Sequence, residues 1–505
     1  MSGHAPEEPE RQPSLKRRAY SGVLWSMLEI WGRQAGYFIV FVVLARLLTP
    51  ADFGLVAAAR IFLDLTQVFI RQGLSDALVQ RRDIRPDHLD TAFWTNVAIG
   101  VAAMAICIGI APAIERMMGI KGLGLILIAM SPSMLIVSLN VVQDGLLRRE
   151  LNFKPLAVRR IVGTLIGGIA GVSLALANYG AWSLVGQLLI GGFSSVAFLW
   201  LTTSWRPGFQ ITRTAFRDLY SFSVHILVSN IVALASKRAD TFLIGRYLGA
   251  TALGIYDVAS RVMWALVMAL TSVTNRVSFS AFSRINHEPE RVRSAFYELT
   301  SWTALICFPC FAGVALLAPW IVPLVFGEQW LGSVPVMQVI TWLGIPQSLA
   351  YFNSTILRAM GKPKLSLIIL CLGALWNIVG FLIVVEKGIV AVAWIFLAGG
   401  ITLLPIGVYW VRSLIGLSWL TYLRNLLPSV ICTLAMTAVL HFAPAHLGLE
   451  QTTAVNLFSL IAIGFVTYAV AVLIVAPRKA IELLKRIRSL RSKKKKKKAA
   501  RGAGT

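Results

Sequence analysis

Six basic residues, Arg33, Arg60, Arg71, Lys237, Arg238 and Arg261, stand inside long apolar stretches, with the acids Glu29, Asp64, Asp240 and Asp257 near them. An ionised side chain facing hydrocarbon at mid-helix costs about 2.5–3.5 kcal/mol even on a mild insertion scale. Six groups left to lipid would cost on the order of 15 kcal/mol, comparable with the net stability of a domain. They must face a wet cavity, pair with acids, or sit near an interface. Three spacings place opposite charges one turn apart: Glu29 with Arg33, Arg60 with Asp64, and Asp257 with Arg261. Arg71, seven residues beyond Asp64, shares its face. Structural ion pairing is the plain reading. The chemical reading is anion binding, because the planar donors of a guanidinium match phosphate oxygens two at a time. Arg33, Arg60 and Arg261, with Lys237 and Arg238, are the candidates for gripping a phosphorylated substrate. Glu29, Asp64, Asp240 and Asp257 are the candidates for ion pairing or proton coupling. Arg71, Lys237 and Arg238 lie nearer the ends of their stretches, where snorkelling to an interface serves as well.

The elements that carry these charges are membrane spans. The chain has 505 residues, 57% hydrophobic and 14% charged, where soluble proteins carry about 25% charged residues. A span needs about 20 apolar residues, so the composition supplies a dozen or more. That excludes a soluble enzyme, a nucleic-acid-binding module and a disordered chain. Fourteen spans are predicted, at about 20–47, 53–76, 90–114, 122–142, 155–177, 181–202, 219–245, 252–279, 295–317, 332–357, 365–385, 389–411, 419–440 and 453–476. With a cytoplasmic N-terminus and alternating sides, 37 of the 48 basic residues fall inside, 5 outside and 6 within spans. A wrong span count would scramble that asymmetry, so the expectation is a multi-pass plasma-membrane protein with both termini cytoplasmic. The net charge of +25 then belongs to loops and tails facing anionic lipid, not to nucleic acid.

The charged spans are the first, second, seventh and eighth, and they are related by an internal repeat. Arg17, Tyr20, Ser21, Arg46, Leu48, Gly54 and Ala59 recur 200 residues later as Arg217, Tyr220, Ser221, Arg246, Leu248, Gly254 and Ala259. Parallel repeats of this kind are common in transporters, with the substrate between the halves. The predicted fold class is an all-α polytopic membrane protein of two pseudo-symmetric six-helix lobes around a central cavity, plus two C-terminal helices. Its parts are a cytoplasmic segment 1–19, lobes over 20–203 and 219–411, a cytoplasmic linker 204–218, two further spans over 412–477, and a basic tail 478–505. The tail holds 13 basic residues and one acid, Glu482, and is expected to meet anionic membrane lipid.

Catalytic and cofactor signatures are absent from the sequence. There is no G-x-x-x-x-G-K-[ST] loop and no H-E-x-x-H, and the glycines at 119–124 read as a membrane turn. Cys107, Cys307, Cys310, Cys371 and Cys432 lie in apolar runs and read as packing residues, without a metal or redox framework. No catalytic residue, metal or cofactor is expected.

The string VLARLLTPADFGLVAAARIF is followed by GLSDALVQRRDIRPDHLDTAFWTN, QDGLLRRELNFKPLAVRRIVG, ADTFLIGRYLGATALGIYDVASRV, FGEQWLGSVPVMQVI and LRAMGKPKLSL. In this order the strings resemble the polysaccharide-exporter family that includes Wzx-type oligosaccharide flippases, near its colanic-acid-exporter branch. That family lies within the multidrug/oligosaccharidyl-lipid/polysaccharide exporter superfamily. The resemblance spans about residues 15–415 and does not include the basic tail. It implies a non-enzymatic flippase that moves undecaprenyl-pyrophosphate-linked oligosaccharide repeat units from the cytoplasmic to the periplasmic leaflet, for exopolysaccharide, capsule or O-antigen synthesis. It implies as partners the lipid-linked substrate and the polymerase and chain-length proteins of the same pathway. Lipid II flippases of the same superfamily line their cavity with arginines on the first, second and eighth helices, which the resemblance carries, by helix and not by a shared motif, to Arg33, Arg60 and Arg261. The runner-up is a cation-coupled multidrug exporter of the same superfamily. A membrane glycosyltransferase or polymerase comes third, since the longest predicted outer connection has only about 15 residues.

Overall fold

The computed structural model describes residue 34 and residues 36–71, 83–150, 152–220, 223–285, 287–448, 453–479 and 481–482. All regular structure among them is helical. The main helices are α1 (Gly36–Leu47), α2 (Pro50–Arg71), α3 (Pro86–Met118), α4 (Leu123–Met130), α5 (Pro132–Ser138), α6 (Val141–Arg149), α7 (Phe153–Leu176), α8 (Ala181–Thr202) and α9 (Arg213–Tyr220). After them come α10 (Ser223–Arg284), α11 (Pro289–Ile321), α12 (Ser333–Ile340), α13 (Gly344–Ala359), α14 (Pro363–Val384), α15 (Ile389–Ile415), α16 (Trp419–Leu447) and α17 (Ala454–Val475).

Eleven stretches among the described residues are long and apolar enough to cross a membrane. They account for all but three of the fourteen predicted spans. The first span is described only from residue 34, leaving the short apolar α1. The seventh and eighth run together as α10, broken at Gly249, whose φ of 81° and ψ of −176° suit only a glycine. The tenth is divided into α12 and α13 by the turn Thr341–Leu343, just before Pro346; a proline lacks the N–H that a continuous helix needs. Phe458, Phe465 and Ile474 on α17 are 69%, 74% and 74% exposed, an apolar surface that water does not tolerate and lipid does.

The chain forms two compact units, Met1–Leu253 and Gly254–Thr505. In the N-terminal unit α7 and α8 pack backbone to backbone. Gly163, Gly167 and Gly171 recur every fourth residue along α7 and face Ser183, Gln187, Gly191 and Ser195, spaced likewise along α8. A Cβ on Gly167 would stand 2.6 Å from the Gln187 carbonyl oxygen, and one on Gly191 would stand 2.6 Å from that of Gly163. Small residues at four-residue spacing allow this approach, which in hydrocarbon replaces the missing hydrophobic drive by close van der Waals contact. At the other end of the unit, residues 203–212 form a strap across the start of α3. The Asp90 carboxylate accepts from the backbone N–H groups of Gly208 (2.9 Å) and Gln210 (3.2 Å), and the Trp94 indole donates to the Gly208 carbonyl (2.7 Å). The first arm of α10 joins this unit through Phe242, set edge-on to Phe62 of α2 at 6.4 Å.

The C-terminal unit is built on α11, α13, α15 and α16, whose buried Phe296, Phe308, Phe352, Val411 and Tyr422 form its main core. Gly344 has no side chain because the Phe311 ring occupies that space; a Cβ would lie 2.2 Å from it. Past α17, Lys479 turns back onto Ser301 and the Asn425 carbonyl. Burial there pushes its ammonium below the ordinary lysine range, partly offset by Glu482.

Candidate functional site

The N-terminal unit carries an open cavity of about 740 Å³ with many polar groups in its wall. Four arginines line it, Arg60, Arg148, Arg159 and Arg160, together with Asp144, Tyr37, Asn140, Thr164, Gln187 and Ser195. Each is placed by packing elsewhere on its helix. Arg60 stands at the middle of α2, among the buried Ala57, Ala58, Ala59, Ile61 and Leu63. Those neighbours fix the helix against its unit and leave the guanidinium facing the cavity, where Nη1 donates to the Tyr37 hydroxyl at 3.5 Å. Arg159 lies four residues before Gly163, on the same stripe that seats α7 against α8, and its carbonyl accepts from Ser195 Oγ at 3.1 Å. Its guanidinium is 7% exposed, with Nη2 2.6 and 2.8 Å from the two Asp144 oxygens. A buried pair of this kind costs about 3–5 kcal/mol when one partner is removed. Asn140 adds a carbonyl oxygen, Oδ1, buried without a donor among the described residues.

The sequence candidates fall into distinct settings. Arg60 enters the cavity and meets no carboxylate among the described residues. Its expected partner Asp64 pairs instead with Arg238, from the first arm of α10. Asp240 is buried and accepts from the backbone N–H (2.6 Å) and hydroxyl (3.1 Å) of Thr241. In the C-terminal unit Arg261 Nε donates to Asp257 Oδ2 at 2.6 Å, as four-residue spacing permits. Glu29 and Arg33, and the side chains of Arg71 and Lys237, lie outside the described residues, as does the tail from 483 onward. Arg148, Arg159 and Arg160 were not among the expected site residues, because the positive-inside tally assigns them to a loop. The signal for Arg159 was the glycine stripe, which continued back by four residues reaches it. Among the described residues no cluster of three or more His, Cys, Asp or Glu could hold a metal ion.

The C-terminal unit carries a cavity of opposite character. A groove of about 810 Å³ runs between α11, α16 and α17, lined by Leu305, Pro309, Met436, Gly464 and Phe465 among others. The Tyr468 hydroxyl donates to the Leu305 carbonyl at 2.6 Å, so that the groove wall is almost wholly apolar.

Eleven apolar stretches among the described residues, with an arginine-lined cavity in one unit, define a multi-pass membrane protein. Residues 43–335 match the polysaccharide biosynthesis protein family, and the chain belongs to it. Over 499 residues it is 27% identical to the succinoglycan biosynthesis transport protein ExoT of Rhizobium meliloti, covering 94% of this chain and 97% of that one. It is 24% identical to the teichuronic acid biosynthesis protein TuaB of Bacillus subtilis, over 84% of this chain and 88% of TuaB. The lipopolysaccharide biosynthesis protein WzxC of Escherichia coli is 25% identical over 70% of this chain and 72% of WzxC. Among solved structures, the fold is similar to the lipid II flippase MurJ in an inward closed conformation, with a TM-score of 0.72 at 16% identity over 90% of this chain and 98% of MurJ. An inward-facing multidrug resistance MATE transporter gives a TM-score of 0.62 at 16% identity, over 76% of this chain and 94% of that one.

Proposed function

We propose that this protein is a flippase that carries an undecaprenyl-pyrophosphate-linked oligosaccharide from the cytoplasmic to the periplasmic leaflet of the plasma membrane. The observation that carries the reading is Arg60, a mid-helix guanidinium that faces a polar cavity and holds no carboxylate among the described residues. Left alone it carries the cost of an uncompensated charge, about 2.5–3.5 kcal/mol at mid-membrane, which a phosphate anion removes. Arg148 and Arg160 line the same cavity and add positive charge. Asn140 and Gln187 bring amide groups of the kind that bond sugar hydroxyls. The apolar groove of the C-terminal unit suits a hydrocarbon chain. Relatives named for succinoglycan, teichuronic acid and lipopolysaccharide synthesis support a glycan as cargo.

Deleting the gene tests the assignment. The expected result is loss of one surface glycan while its lipid-linked repeat units build up on the inner leaflet, measured by lipid extraction and mass spectrometry. Normal glycan together with raised drug sensitivity would overturn the assignment in favour of a multidrug exporter.

A further inference from the structure

We propose that Arg238 is a positioning residue: it holds the Asp64 carboxylate away from Arg60 and so keeps Arg60 free to bind an anion in the N-terminal cavity. This rests on the cavity reading above and deepens it. The argument begins with two pairs at the same spacing. Asp257 and Arg261 are four apart with the acid first, and their side chains meet at 2.6 Å. Arg60 and Asp64 are four apart with the base first, and their side chains do not pair. On a helix the acid-first order is the more favourable, both from side-chain geometry and from the helix dipole. The reversed order leaves Asp64 open to a competitor from outside α2.

Arg238 is that competitor. It comes from a helix 174 residues further along the chain and places Nη2 on Asp64 Oδ2. Both side chains are about 30% exposed, at 29% and 30%, so the pair is half-buried and neither wholly locked nor merely superficial. Neither residue lines the cavity that holds Arg60. Asp64 thus has two guanidinium partners within reach of its helix position and serves one at a time. While Arg238 keeps it, Arg60 offers its full charge to a phosphate. If the first arm of α10 draws back, Asp64 is released to pair with Arg60, one turn before it on α2, and competes with the bound phosphate for it. The position of that arm is then coupled to the charge that the cavity presents.

The test uses the full-length protein in nanodiscs, with farnesyl pyrophosphate as probe and binding followed by tryptophan fluorescence. Arg60→Ala is expected to weaken binding about tenfold, the ratio that one charge-assisted hydrogen bond supports. Arg238→Ala is expected to weaken it by a similar factor, although Arg238 does not line the cavity. Asp64→Asn should bind at least as tightly as the wild type. The double variant Arg238→Ala/Asp64→Asn should recover wild-type binding, which loss of a direct ligand contact would not allow. Arg238→Ala that binds normally, while Arg60→Ala does not, overturns the positioning role and leaves the cavity reading intact. Failure of the double variant to recover, in protein of unchanged melting temperature, overturns it as well and makes Arg238 a ligand contact. Unchanged binding in Arg60→Ala defeats the cavity reading itself. Should Arg238→Ala fail to fold, Asp64→Asn alone decides: weakened binding there is incompatible with a carboxylate that competes for Arg60.

Discussion

Arg60 and Arg261 carry the same side chain at the middle of two helices and differ in what they hold. Arg261 is joined to Asp257, so Arg261→Ala strands a carboxylate that is 13% exposed, at a cost of about 3–5 kcal/mol if the pair behaves as a buried one. The double variant Arg261→Ala/Asp257→Ala removes both charges and should be much milder. If glycan export in cells recovers in the double, Arg261 serves structure; continued loss from a stably folded protein assigns it to the substrate. Arg60 meets no such acid among the described residues, so Arg60→Ala is expected to leave protein levels normal and abolish export. Arg60→Lys should restore only part of it, since an ammonium keeps the charge and loses the two-pronged donor geometry. Full export by Arg60→Ala would end its role in transport. The spacings that make these residues candidates are legible in the sequence. The exchange of Asp64 from Arg60 to Arg238 is not, because no local pattern reports which residue 174 positions away comes to lie beside it.

At the scale of elements, the seam between α7 and α8 sets the cavity wall, since one stripe carries Gly163, Gly167 and Gly171 and, four residues earlier, Arg159. Gly191→Leu forces a side chain into the space of the Gly163 carbonyl, 2.6 Å from the Cβ position. Overpacking of this kind costs about 1–3 kcal/mol. The expected outcome is a lower melting temperature in detergent, with export reduced in proportion to folded protein; an unchanged melting curve would mean that the seam is looser than its geometry. Helix existence was legible almost throughout, because lipid-spanning segments announce themselves by length and apolarity. Helix interruption was less so. Gly249 falls in the predicted break between the seventh and eighth spans, but Pro346 lies inside the predicted tenth, whose apolar run conceals the turn that divides it. For the opposite reason, Arg159 and Arg160 did not stand out as cavity residues. They occupy the second turn of α7, where a basic pair looks like the edge of a loop.

For the whole molecule, the charge asymmetry makes a topological prediction that labelling can check. In a background lacking the native cysteines, cysteine placed at Tyr179 or His446 should react with an impermeant maleimide added outside. Cysteine at Asp83 or Lys362 should react only after the membrane is opened. All four positions are solvent-facing or lie in turns between helices. The reverse pattern would invert the protein in the membrane and with it the direction of transport. The count of crossings follows from the same logic, since an odd number of spans between Tyr179 and Lys362 is needed to put them on opposite sides.

The first arm of α10 belongs to two histories at once. By sequence, its start lines up with the start of the chain through the matches of Arg17 and Tyr20 with Arg217 and Tyr220; by packing, it is part of the first unit, where it gives Asp64 its guanidinium and Phe62 its aromatic neighbour. A chain severed where the copies join would take Arg238 from Asp64 and leave that carboxylate to Arg60. A join placed at the border of the repeat separates Asp64 from the helix that supplies its partner. A hybrid of two relatives should therefore be joined at Gly249, after the borrowed helix, where the backbone itself is already broken.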